Sequence, residues 1–147
     1  MLQRIQTIYL LLSVALISMS YFFPFGEVSE YNLRSFGVKN DGEFVEAVNS
    51  YWFQVPLVLI MILNLAAIFF YNNRQRQINL LRITFILFVA SFSMLALYVR
   101  DAQTELSGYF YAGISIFLIF GAMILNWLAI RAIRSDERLV KSVDRIR

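Results

Sequence analysis

Five bases near the end of the chain, Arg131, Arg134, Arg138, Lys141 and Arg145, stand at intervals of 3, 4, 3 and 4. At about 100° per helical residue they share an arc of roughly 80°, so they can act together on one anionic surface. Ile133, Leu139, Val140, Val143 and Ile146 take the opposite side. The stretch therefore reads as an amphipathic helix whose charged face suits membrane lipid and whose apolar strip suits a protein partner or a second copy of the chain. Asp136 and Glu137 stand among these bases, Glu137 three residues from Arg134 and four from Lys141, and are expected to add local ion pairs. No aromatic residue is interleaved with the bases to stack on a base, so no nucleic-acid partner is expected.

The rest of the chain offers little reactive chemistry. It holds no His and no Cys. Thiol and disulfide chemistry, zinc sites of the usual Cys/His kind, haem ligation by histidine and every imidazole triad are thereby removed. The acids outside the tail, Glu27, Glu30, Asp41, Glu43, Glu46, Asp101 and Glu105, fall in short polar segments that read as solvated surface. No catalytic, cofactor-binding or metal-ligating residue is assigned, no cofactor is expected, and the chain does not read as an enzyme. A proton- or ion-coupled transporter keeps an ionisable group at mid-membrane. Within the apolar runs the strongest polar groups are instead the neutral amides Asn64 and Asn126. Serine and threonine there can return their hydroxyls to a carbonyl one turn back, but an amide cannot satisfy itself this way. Asn64 and Asn126 are expected to face the bundle interior and bond across helices.

Those residues need elements to hold them. Of 147 residues 59% are hydrophobic, and four runs, 5–25, 51–73, 83–99 and 106–130, carry no Asp, Glu, Lys or Arg. Each is about the length that crosses a hydrocarbon core of roughly 30 Å, the third being extended at its start by Ile78, Leu80 and Leu81 to a span of about 80–99. The runs are apolar all round, as in 55–70 (VPLVLIMILNLAAIFF), whereas a soluble bundle would need polar outward faces. The fold class expected is an all-α membrane protein: a domain 1–130 of four transmembrane helices, then residues 131–147 continuing the fourth span as a cytoplasmic amphipathic helix. Ala90, Ser93 and Ala96, with Gly113, Phe117 and Gly121, offer faces on which the third and fourth helices could approach closely.

The charges orient this bundle. Placing the N-terminus, the 74–82 connection and the tail inside gathers ten of the thirteen bases on one side, as the positive-inside rule asks. Both termini are then cytoplasmic. The loop 26–50 lies outside, where the runs 31–38 and 43–48, separated by Lys39-Asn40-Asp41-Gly42, predict a β-hairpin over the helix ends.

The opening 1–12 (MLQRIQTIYLLL) and the closing 129–147 (AIRAIRSDERLVKSVDRIR) resemble the two ends of a family of small four-helix membrane proteins from Bacteroidota, described as a domain of unknown function. The resemblance implies a bacterial inner membrane and lends no activity, ligand or site residue. The function expected is that of a non-catalytic accessory or assembly subunit of an inner-membrane complex, and the alternative is a small oligomeric channel or uncoupled transporter.

Overall fold

The computed structural model describes residues 3–40, 43–45, 51–70 and 73–144. Four helices, α1 (Gln3–Ser20), α2 (Tyr51–Phe69), α3 (Arg74–Leu106) and α4 (Ile114–Asp144), form a bundle. Each helix packs against two others in a closed ring, most extensively α1 on α4 and α2 on α3. Five short strands lie across one end: β1 (Gly26–Val28), β2 (Tyr31–Arg34), β3 (Gly37–Asn40), β4 (Glu43–Val45) and β5 (Phe110–Ala112). Their order is β4-β3-β2-β1-β5 and every pairing is antiparallel.

Helix bounds differ from the charge-free runs for local reasons. α1 ends at Ser20, short of 5–25, because Phe22-Phe23-Pro24 follows and proline keeps the residue before it out of the helical region. α2 ends at Phe69, and Asn73, the last residue of the second run, belongs to the next helix: its side chain accepts from the Arg76 amide at 3.2 Å as an N-cap. α3 is longer than 80–99 at both ends, since the bases of 74–82 and the polar residues of 100–105 contain no Gly or Pro to stop it. The fourth run loses its first residues. Ser107 caps α3 in the left-handed region at φ 49, Gly108 follows, and 110–112 pair as a strand before α4 begins at Ile114.

The hairpin expected in 26–50 is part of a larger sheet. Its 39–42 connection agrees with Asn40 pairing Glu43 across β3 and β4. Ser35-Phe36 breaks the run 31–38 as a two-residue turn, with Gly37 at φ 127, and Ser29-Glu30 makes a second with Ser29 at φ 59. Residues 41–42 and 46–50 lie outside the described residues. Val28, Leu33 and Val38 turn one face of the sheet onto the helix ends, where Phe25 meets Phe53 edge-on at 4.9 Å and Phe53 lies 5.2 Å from Tyr98. Tyr98 donates to the Arg34 carbonyl at 3.4 Å, and the Gln54 amide donates to that of Ser35.

β5 reaches this sheet only because two glycines allow backbones to touch. A Cβ on Gly26 would lie 2.5 Å from the Tyr111 carbonyl oxygen, and one on Gly113 would lie 2.4 Å from the Pro24 carbonyl oxygen. The Gly113 amide donates to the Phe25 carbonyl at 2.8 Å.

The small faces expected between α3 and α4 are used otherwise. Gly121 faces Leu16 of α1, Gly113 abuts the Pro24-Phe25 backbone, and Ser93, Ala96 and Phe117 are exposed. Among the described residues three helices are long and apolar enough to cross a membrane (Trp52–Phe69, Arg74–Leu106 and Ile114–Asp136), and Ile5–Ser20 of α1 is apolar but shorter.

Candidate functional site

Asn64 of α2 and Asn126 of α4 meet inside the bundle, both fully buried. Asn126 Nδ2 has two hydrogens, one directed at Asn64 Oδ1 at 3.2 Å and one at Thr84 Oγ1 of α3. Asn64 Nδ2 then donates to Ser13 Oγ of α1 at 3.2 Å, and Ser13 donates to the Ala122 carbonyl of α4 at 3.1 Å. Thr84 passes its own hydrogen to the Leu81 carbonyl at 2.8 Å. One polar residue from each helix thus joins a single layer whose donors run from α4 through α2 and α1 back to α4. Asn126 Oδ1 is the one atom of this layer without a partner among the described residues.

Burial of this set follows from spacing. Ser13 lies on the α1 face defined by buried Gln6, Leu10, Ile17 and Ser20, and Asn126 on the α4 face defined by Ile119, Ala122, Ala129 and Ile133. Thr84, Ser18, Ser20, Ser91 and Ser93 each bond a carbonyl three or four residues back, as hydroxyls in helices can. Ser13 and Ser115 do not. The Ser115 hydroxyl lies 2.8 Å from the Ser20 carbonyl and 2.7 Å from that of Phe23, and serves one at a time. Replacing Asn64 by Leu is expected to lower stability in detergent by roughly 0.6–1.7 kcal/mol, the scale of one interhelical hydrogen bond in a membrane bundle. A thermal melt unchanged by the substitution would count against its role as a tie between helices.

At the end opposite the sheet the geometry is of another kind. α4 continues without a break through Arg131 and Arg134 to Asp144, with both arginines exposed and Ile133 fully buried. Arg138 and Lys141 ride on this helix, but their side chains lie outside the described residues, as does all of Arg145. Asp136 departs from its expected place as an ion-pair partner of neighbouring bases: it is buried, and Gln6 Nε2 of α1 donates to its Oδ2 at 2.5 Å. The signal for this was in the sequence. Ala129, Ile133 and Asp136 continue the 4-3 spacing of the buried face of α4, and Gln6 stands one turn before Leu10 on α1. Gln77 of α3 makes a similar tie, donating to the Ala67 carbonyl of α2 at 3.1 Å.

Arg131 stands over the Trp127 ring, 5.7 Å from its centroid, within cation–π range. Trp127, Ile130, Arg131, Arg134 and Ser135 line a groove of about 340 Å³, and a second groove of about 300 Å³ on the other side of Arg131 runs between α1 and α4. No group of acids that could hold a metal ion occurs among the described residues.

The fold and this layer define the class: a four-helix bundle with a small antiparallel sheet at one end, a neutral polar layer inside, and helices compatible with a membrane protein. Within that class the chain belongs to the family described as Domain of unknown function (DUF4293), whose model matches residues 2–146. The terminal motifs pointed to such a family. No curated protein and no solved structure matches the chain.

Proposed function

We propose that this chain is a non-catalytic integral protein of a bacterial inner membrane, acting as an accessory or assembly subunit of a membrane complex, with both termini cytoplasmic. The observation that carries the reading is where the polarity lies. Ser13, Asn64, Thr84 and Asn126 spend their donors on one another and on backbone carbonyls inside the bundle. Ile62, Ile86, Val89 and Phe117 are more than half exposed on its outside. Water would penalise such a surface and lipid would not. A layer that closes on itself serves to hold helices in register. The surfaces left for partners are the outer face of the sheet, with exposed Phe36, Tyr109 and Tyr111, and the basic tail.

Reporter fusions after residue 48 and after residue 147 are expected to land on opposite sides of the membrane, the second in the cytoplasm. A periplasmic signal from the second fusion would overturn the topology. Purification in mild detergent with crosslinking then tests the subunit reading, which expects a defined complex with a different protein. The alternative, a small oligomeric channel or uncoupled transporter, is favoured by the unpartnered Asn126 Oδ1 at the centre of the bundle; recovery of a symmetric homo-oligomer alone would select it.

A further inference from the structure

We infer that α4 carries a binding site for one anionic phospholipid, its phosphate held between Arg131 and Arg134 and its acyl chain laid along the helix above them. The site rests on the membrane reading just given. Phe117, Phe120, Ile124, Trp127, Arg131 and Arg134 follow one another at intervals of 3, 4, 3, 4 and 3, and all six are exposed. They form one continuous stripe that is apolar, then aromatic, then cationic. Phe117 to Trp127 spans about 15 Å of helix, the depth of one leaflet of a hydrocarbon core roughly 30 Å thick. The order of chemistry along the stripe matches that of a lipid from chain to headgroup.

The groove at its cationic end is suited to a phosphate. Arg131 is held over Trp127, Arg134 faces the same space, and the exposed Ser135 supplies a hydroxyl donor, with Ile130 as an apolar floor. Guanidinium groups match the oxygens of a phosphate in paired hydrogen bonds. Among the described residues neither arginine has an acidic partner. Asp136, two residues beyond Arg134, lies outside this groove: it is buried, accepts from Gln6, and lines the second groove on the other side of Arg131. The first groove is thus lined by two guanidinium groups and no carboxylate among the described residues. A soluble phosphate would use the arginines but leave the aromatic stripe without a role.

The test uses the full chain with Trp52→Phe, so that Trp127 is the single tryptophan and can be excited apart from the tyrosines, reconstituted in phosphatidylcholine nanodiscs holding a small fraction of phosphatidylglycerol. Bromine on the acyl chains quenches indole at short range. Brominated phosphatidylglycerol is expected to quench Trp127 more strongly than brominated phosphatidylcholine at the same fraction. Arg131→Gln with Arg134→Gln should weaken that preference on the order of five-fold per arginine removed, while Arg131→Lys with Arg134→Lys, which keeps the charge but not the paired hydrogen bonds, keeps part of it. Equal quenching by the two lipids, or equal loss in the lysine and glutamine variants, overturns the site. Loss of the preference on adding millimolar inorganic phosphate assigns the groove to a soluble anion and overturns the lipid. Release of the protein from membranes by alkaline carbonate overturns the membrane reading, and the site with it; retention together with equal quenching overturns the site alone.

Discussion

Gly113→Val is expected to destabilise the protein by about 3 kcal/mol or more, read as a thermal midpoint in detergent, because the added atoms have nowhere to go. A Cβ there would meet the Pro24 oxygen at 2.4 Å and the Gly26 nitrogen and Phe25 carbonyl carbon at 2.8 Å each. These are backbone atoms, and relief requires the two chain segments to part. Parting them breaks the bond from the Gly113 amide to the Phe25 carbonyl and disturbs the pairing of Gly26 with Ala112. Gly121→Ala is the matched control. Its Cβ would sit 3.3 Å from the tip of Leu16, a flexible side chain that can give way, so the loss there should stay below about 1 kcal/mol. Equal melting of the two variants would refute the close approach.

The second large effect is expected at the opposite end. Gln6→Leu leaves the Asp136 carboxylate buried without its donor, at a cost on the order of 1.5–3 kcal/mol. Asp136→Leu leaves the Gln6 amide without its acceptor and should cost about 1–3 kcal/mol. Replacing both by Leu removes donor and acceptor together, and the double variant is expected to lie closer to the parent than the sum of the single losses. Asp136→Asn keeps an acceptor for Gln6 and should be the mildest of the set. Strict additivity across the cycle would show that the two side chains do not depend on each other.

Much of this architecture could be read from residues, and the failures have identifiable causes. Absence of charge marks the apolar part of a helix, not its ends. Arg74 to Arg82 and Arg100 to Glu105 are therefore helical, although their charges delimit the apolar run. The segment 106–113 misled in the other direction. Phe110-Tyr111-Ala112 is apolar enough for a span, yet it pairs with Gly26-Glu27-Val28, a partner far away in sequence that no local pattern announces. Asn64 and Asn126 stood out because an amide in an apolar run is conspicuous. Ser13 and Thr84 were hidden by the ease with which hydroxyls satisfy themselves, and only packing decides whether a serine turns to its own helix or to a neighbour. Asp136 was read by its charge when its helical phase, shared with Ile133, was the better guide.

The strand β5 sets an order of assembly. β1 can pair with β2 as soon as the first connection has been made, since a two-residue turn joins them. Its other edge has to wait for Phe110–Ala112, which follow α2 and α3 in the chain. Until then the outward N–H and C=O groups of β1 are an open template of the kind that recruits foreign strands. A nascent chain that has completed α3 but not β5 is thus the most exposed to mispairing. Docking of the last strand closes that edge and brings the start of α4 against the end of α1 in the same step.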